Sequence, residues 1–204
     1  DVKLRCADMC AAWDLLSDLR GHHDDSLLKI QGSSTQDRFA AIEGFIEQCA
    51  GVDKAQKPRF FDNRKSSLLA QLPELVKRFS PDSRRNYLAM GSGFYESAQN
   101  GKTPEVPTAI MNSLKAAELL TQNPETDIFV NPESCQGIAE SFDTLKDMSI
   151  AVRPAHIPEL LFGKNSQRSL HAKFLFSANY RENSQTCNNA WVYLGSGNLT
   201  PAGF

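Results

Sequence analysis

Apolar and polar positions alternate along this chain with two different periods, and the change from one to the other divides it. Residues 1–20 carry Leu4, Met9, Ala12, Trp13, Leu15, Leu16 and Leu19 at loosely helical spacing, and Gly21 is placed to stop a helix. After the loop Gly32-Ser33-Ser34-Thr35, the residues Phe39, Ile42, Phe45, Ile46 and Cys49 form the apolar stripe of a second helix ending at Gly51. Residues 55–58 read as a connection, and Arg59-Phe60-Phe61 as a short strand. Ser66 to Phe79 predicts an amphipathic helix with Leu68, Leu69, Leu72, Leu75, Val76 and Phe79 inward, kinked or restarted at Pro73.

From Ser80-Pro81-Asp82-Ser83 onward, short apolar runs alternate with helical periods. Tyr87 to Met90 is a strand ending in Gly91-Ser92-Gly93, residues 101–107 a loop, and Thr108 to Leu120 a helix. Asp127 to Val130 is a strand stopped by Asn131-Pro132, Gly137 to Leu145 a helix, and Met148 to Val152 a strand ended by Pro154. Two more strands begin at His171 and Trp191. Nearly uninterrupted apolar strands separated by helices predict an α/β fold, with a mixed or mostly parallel sheet flanked by helices. Residues 1–58 fit the alternation least and read as a helical prefix; residues 59–204 read as the α/β lobe.

Composition adds bounds. The chain has 204 residues, 41% hydrophobic and 23% charged, with a formal net charge of -2, which suits a globular domain with a sizeable core. A dedicated nucleic-acid coating domain would be strongly basic, so any phosphate site must be local. No apolar run approaches the roughly 20 residues that span a bilayer, and no transmembrane helix is expected. The start lacks both Met and a signal-peptide pattern, so the sequence reads as a fragment or processed chain, cytoplasmic or nuclear. The five cysteines (Cys6, Cys10, Cys49, Cys135 and Cys187) lack metal-ligand spacing and read as reduced thiols. His22-His23-Asp24-Asp25 is the densest run of metal-capable side chains and reads as a solvated loop rather than a metal site. No cofactor or metal is expected.

The chemistry concentrates near the C-terminus. In Ser169-Leu170-His171-Ala172-Lys173-Phe174-Leu175-Phe176, strand alternation puts His171 and Lys173 on one face, about 7 Å apart, with Leu170, Ala172, Phe174 and Phe176 on the other. Lysine supplies a compact charge for a phosphoryl oxygen, and histidine can attack phosphorus or shuttle a proton. A strand from Trp191 follows and runs into Gly195-Ser196-Gly197-Asn198, where short polar groups can approach an anion. Ser196 offers a hydroxyl and Asn198 an amide donor. Alone, His171 could equally be a satisfied core residue and Lys173 a solvated charge. Gly91-Ser92-Gly93 could be a substrate-contacting loop at the sheet's carboxyl edge or a plain tight turn. Arg84-Arg85 could meet a nucleic-acid backbone or simply be solvated.

The pairing of His171 and Lys173 with Gly195, Ser196 and Asn198 resembles the half-site of the phospholipase D superfamily, His-x-Lys followed by Gly-Ser-x-Asn. That family commonly has an Asp five residues after the Lys, where this chain has Ala178. The pattern is closer to the His-Lys-Asn variant of the tyrosyl-DNA phosphodiesterase branch, a DNA-repair group. The resemblance implies a metal-independent phosphodiesterase, acting on nucleic acid more than on lipid, in which one His forms a phosphohistidine and a second His from a matching half-site protonates the leaving oxygen. It implies His171, Lys173 and Asn198 as catalytic groups and Ser196, Gly195 and Gly197 as the substrate-binding turn. His156, His22 and His23 lack a following Lys at the right spacing. The second half-site is therefore expected from a lobe past Phe204 or from a homodimer partner. Two other readings stay open: a phosphate- or nucleic-acid-binding module without turnover, and a phospholipid hydrolase.

Overall fold

A computed structural model of the chain describes residues 2–22, 35–50, 57–81, 83–96, 102–155, 169–184 and 186–204. The chain divides into two compact units, Asp1–Ser66 and Ser67–Phe204.

In the first unit, helices α1 (Val2–Gly21) and α2 (Thr35–Ala50) pack against each other. The predicted helices are present, but their apolar stripes are only partly covered. Ala12, Trp13, Leu15 and Ile46 are half-buried, while Leu16, Leu19, Ile42 and Phe45 stand exposed. Two helices bury a narrow seam and cannot cover a wide stripe on each. The strand expected at Arg59-Phe60-Phe61 does not form. Instead Asp8 accepts from the backbone N–H groups of Arg59 (2.5 Å) and Phe60 (3.3 Å) and from the Arg59 guanidinium (2.6 and 2.9 Å). Arg64 then reaches Asp14 at 2.6 Å, Asp18 at 3.5 Å and Asp62 at 3.0 Å. These bonds hold residues 59–64, which the sequence pattern joins to the α/β lobe, onto α1. Among the described residues, His22 of the acidic-histidine run has its ring Nδ1 2.7 Å from the Asp18 carbonyl oxygen; residues 23–25 lie outside them.

This network predicts that the first unit is acid-sensitive. Partial burial pushes the Asp8 carboxyl up, but the hydrogen bonds from Arg59 and Phe60 outweigh it and hold the group below its ordinary value of 3.8. Asp62 is held below the same value, chiefly by the Arg64 guanidinium. Carboxylates with depressed folded-state values contribute stability that is complete above the unfolded value and lost as pH falls through the folded one. The helical signal of the first unit should therefore be flat down to about pH 5 and weaken below about pH 4. Asp8→Asn should reduce the acid-dependent part of that loss, as a circular-dichroism titration of both proteins will report.

The second unit opens with α3 (Leu68–Phe79). Ser67 caps it by accepting from the Ala70 N–H at 3.1 Å, and Ser80 closes it by donating its N–H to the Val76 carbonyl at 2.8 Å. The helix is continuous through Pro73. Leu68, Leu72 and Val76 are buried as expected, whereas Phe79 is 43% exposed. Strand β1 (Arg85–Gly91) follows, then α4 (Glu105–Ala116). The helix begins before Thr108 because Pro107 sits in its first turn, where a missing N–H leaves no intrahelical bond unmade. Glu96 satisfies the Val106 N–H in the same turn at 2.8 Å. It ends at Ala116 rather than Leu120, because Glu118 takes a left-handed φ of 62° that no helix continues through.

Leu120 is instead the first residue of β2 (Leu120–Val130). Arg85 pairs with Leu120 and Tyr87 with Glu125, so residues 121–124 bulge out of the ladder, polar and containing Pro124. The single helix expected over Gly137–Leu145 is two short ones, α5 (Gln136–Ala139) and α6 (Phe142–Asp147). Ser141 lies between them and donates to the carbonyls of Lys102 and Gly137. Strands β3 (Ile150–Pro154), β4 (Lys173–Asn179) and β5 (Asn188–Gly195) complete the unit.

Among the described residues five strands form one sheet in the order β3-β2-β1-β4-β5. The trio β3-β2-β1 is parallel, β4 is antiparallel to β1, and β5 antiparallel to β4, so the sheet is mixed. Helix α4 packs on β2 and on α3, and α6 packs on β3. One face is fully buried through Leu88, Met90, Ile128 and Leu175. The other carries half-buried Phe129, Phe174 and Phe176 and the exposed Val192 and Leu194. Arg85 is neither solvated nor available to a nucleic-acid backbone, being only 1% exposed; Arg84 is exposed and pairs with Glu118.

Candidate functional site

The strand directions bring the predicted residues to one edge. The carboxyl ends of β1, β2 and β5 and the amino end of β4 all lie there, as the pairs Gly91↔Phe129, Gly91↔Phe174 and Lys173↔Gly195 require. Carboxyl edges of such sheets are where loops carry ligand-binding groups. Lys173 is thus the first ladder residue of β4, directly opposite Gly195, and Ser196, Gly197 and Asn198 continue past it into a turn.

The strand begins at Lys173, two residues later than expected. His171 and Ala172 precede the ladder and are exposed. The reason is opposite them: β5 leaves the sheet at Gly195, so residues before Lys173 have no partner strand on that side. Lys173 and the phenylalanines do lie on opposite faces as expected, but the core side is the lysine's. Lys173 shares its face with Leu175 and Ser177, the more buried set, while Phe174 and Phe176 occupy the half-buried face.

Lys173 is only 7% exposed, and among the described residues no carboxylate pairs with it. Lysines are rarely buried without a counter-charge, because desolvating the ammonium is costly. A bound anion would restore what burial removes. Asn198 is half-buried, and its side-chain oxygen is buried with no hydrogen-bond donor among the described residues. Ser196 and Gly195 are exposed and Gly197 half-buried. Gly197 is required: a Cβ there would fall 2.1 Å from the Gly203 carbonyl oxygen, since the turn folds back on itself. Across Gly195 lies the Tyr193 hydroxyl, 2.0 Å from where a Cβ would stand, on the face of Lys173. Burial raises the Tyr193 phenol above its ordinary value and keeps it a neutral hydroxyl.

Tyr193 and Asn131, near this edge, carry no recognisable site signal in the sequence, whereas Ser92 lies in the Gly-Ser-Gly segment left open between a substrate loop and a tight turn. Ser92 is fully buried, accepts from the Leu199 N–H at 3.2 Å and donates to the Phe94 carbonyl at 2.6 Å. Gly91-Ser92-Gly93 is thus a tight turn tied to the residue after Asn198, with its serine turned inward. Asn131 is 8% exposed and bonds Leu170, the residue before His171.

A separate cleft of about 420 Å³ opens on the half-buried face, near Tyr87, Asp127, Arg153 and Phe176. Of the two carboxylates that line it, Glu125 and Asp127, the second is already engaged. Asp127 accepts from the Tyr87 hydroxyl at 2.9 Å and pairs with Arg153 at 2.8 Å. Burial, then the bond to Asp127, pushes the Tyr87 phenol far up. The pair Tyr87↔Ala178 puts this cleft four residues along β1 from Gly91, about 13 Å from the site edge.

Among the described residues, no three His, Cys, Asp or Glu side chains group closely enough to hold a metal, and no helix is long and apolar enough to cross a membrane. Cys6, Cys10, Cys135 and Cys187 are free thiols. No protein-family model, curated protein or solved structure matches this chain.

Proposed function

We propose that this chain is one phospholipase D-like lobe of a metal-independent phosphodiesterase, acting on phosphodiesters of nucleic acid. The observation that carries the proposal is Lys173, buried with no carboxylate paired to it among the described residues and set opposite Gly195 where the Gly-Ser-x-Asn turn leaves the sheet. In this reading the Lys173 ammonium and the Ser196 and Asn198 side chains hold the non-bridging oxygens and stabilise charge developing on them. His171, exposed at the end of the ladder, attacks phosphorus through an imidazole nitrogen as the P–O bond to the leaving oxygen breaks. A second imidazole protonates that oxygen, and it comes from another lobe or from a second copy related by a two-fold axis. Water then attacks the phosphohistidine, returning His171 and releasing the phosphate ester.

The test is a covalent trap. Full-length protein quenched in acid-free denaturant during turnover of a labelled oligonucleotide, with EDTA present, should carry label on His171. Label elsewhere, or none while product accumulates, rejects the mechanism. Saturable phosphate or oligonucleotide binding with neither label nor product would support the binding module instead.

A further inference from the structure

We infer that Ser92 and Asn131 are the positioning residues of this site, setting the separation of His171 and Asn198 through the backbone of Leu170 and Leu199. The inference rests on the phosphodiesterase reading above. Ser92 directly follows the last residue of β1, and Asn131 the last residue of β2. These strands are parallel neighbours in the middle of the sheet, so the two side chains leave adjacent strand ends at the site edge. Both are buried, Ser92 completely and Asn131 to 8% exposure.

Asn131 makes a two-point pair with one peptide residue. The Leu170 N–H donates to its Oδ1 at 2.5 Å, and its Nδ2 donates to the Leu170 carbonyl at 3.0 Å. The amide thereby supplies the bonds a partner strand would have made, just where the β4 ladder has not yet begun. The same Nδ2 lies 3.4 Å from the Gly93 carbonyl, which ties in the loop after β1. A Cβ at Gly93 would fall 2.8 Å from the Leu170 carbonyl oxygen, so this close approach needs glycine. On the other half of the motif, the Ser92 hydroxyl holds the Leu199 N–H, and Tyr95 bridges the same residue. Each motif residue is thus one peptide unit, about 3.8 Å between Cα atoms, from a backbone group locked by a buried side chain. His171 needs such a lock because it is exposed and outside the ladder.

In the full-length protein, Asn131→Ala and Ser92→Ala should lower kcat on bis(p-nitrophenyl) phosphate by about 100-fold, the scale of a misplacement near 1 Å. KM should move less than about threefold, since Lys173 still holds the anion. Hydrogen exchange should accelerate at the Leu170 amide in Asn131→Ala and at the Leu199 amide in Ser92→Ala, while Met90 and Ile128 keep their protection. Asn131→Asp retains the oxygen that receives the Leu170 N–H and should recover part of the rate. If Asn131→Ala fails to fold, Ser92→Ala, which removes a single oxygen, carries the same test. Unchanged kcat in both variants while His171→Ala is inactive overturns the positioning role and leaves the phosphodiesterase reading intact. Unaltered protection at Leu170 and Leu199 also overturns it. Full activity of His171→Ala removes the reading, and the positioning role with it.

Discussion

Replacing His171 by alanine in the full-length protein is expected to reduce hydrolysis of bis(p-nitrophenyl) phosphate by about a thousandfold or more, with the melting temperature unchanged. The rate effect is large because His171 is asked to supply the nucleophile. Without it the reaction falls back on whatever the lysine and amide donors achieve by binding and charge stabilisation alone. The stability effect is small because the side chain is exposed and precedes the ladder, and surface substitutions away from buried contacts usually stay within about 0.5 kcal/mol. That separation makes the experiment sharp, since a loss of rate cannot be ascribed to unfolding. Turnover that survives the substitution would sink the nucleophile assignment. Activity that needs a divalent metal, and vanishes with EDTA in the parent protein, would argue against the same mechanism from the other side.

The second large effect concerns stability, at the opposite end of the sheet. Arg85 is 1% exposed and has no carboxylate against its guanidinium among the bonds described; it is held by oxygens that are mostly carbonyls. Its Nε donates to Asn189, its Nη1 to Ser83, and its Nη2 to both the carbonyl and the hydroxyl of Ser80, at 2.5 to 3.0 Å. One side chain therefore joins the end of α3, the start of β1 and the start of β5, where Asn189 takes a left-handed φ of 53°. Burial lowers the guanidinium below its ordinary value, in keeping with a charge surrounded by neutral dipoles. Arg85→Met keeps the hydrophobic stem and removes the donors, leaving several carbonyls unsatisfied. At about 1 kcal/mol or more for each orphaned acceptor, the loss should reach about 4 kcal/mol. For a protein of this size that is a fall in melting temperature on the order of 10–15 °C. Arg85→Lys should recover only a small part, because one ammonium cannot reach three separated carbonyls. A melting temperature within about 2 °C of the parent for Arg85→Met would show that the loops around Ser83 and Asn189 are held by something else.

How far these features are legible in the linear chain depends on the range of the forces behind them. The strand cores, such as Leu88-Ala89-Met90 and Ile128-Phe129-Val130, follow from apolar runs that bury on both faces, and the sheet forms through them. Errors fall where a local preference meets a distant partner. Thr121–Thr126 is polar, contains Pro124 and is assigned to no element by its pattern, yet pairing with β1 at Glu125 and Thr126 draws it into β2 with a bulge. Arg59-Phe60-Phe61 has strand propensity, but Asp8, fifty-one residues away from Arg59, satisfies its backbone instead. Arg85 looks like half of a solvated basic pair, and only the convergence of two segments, the α3–β1 connection and the start of β5, makes it a buried staple.

The candidate site divides in the same way. Residue chemistry by itself determines which side chains can attack, clamp or donate; that His171 and Lys173 act together with Gly195, Ser196 and Asn198 is what the family resemblance implies. That information is local, carried within two short segments. Only the tertiary structure decides that Lys173 is buried opposite Gly195, that His171 lies outside the ladder, and that Ser92 and Asn131 grip the residues beside them. Those outcomes depend on strand order and register, which arise from contacts between segments 39 to 107 residues apart, such as Asn131 with Leu170 and Ser92 with Leu199. A serine and an asparagine at strand ends look like ordinary turn formers until the sheet assembles and turns them inward.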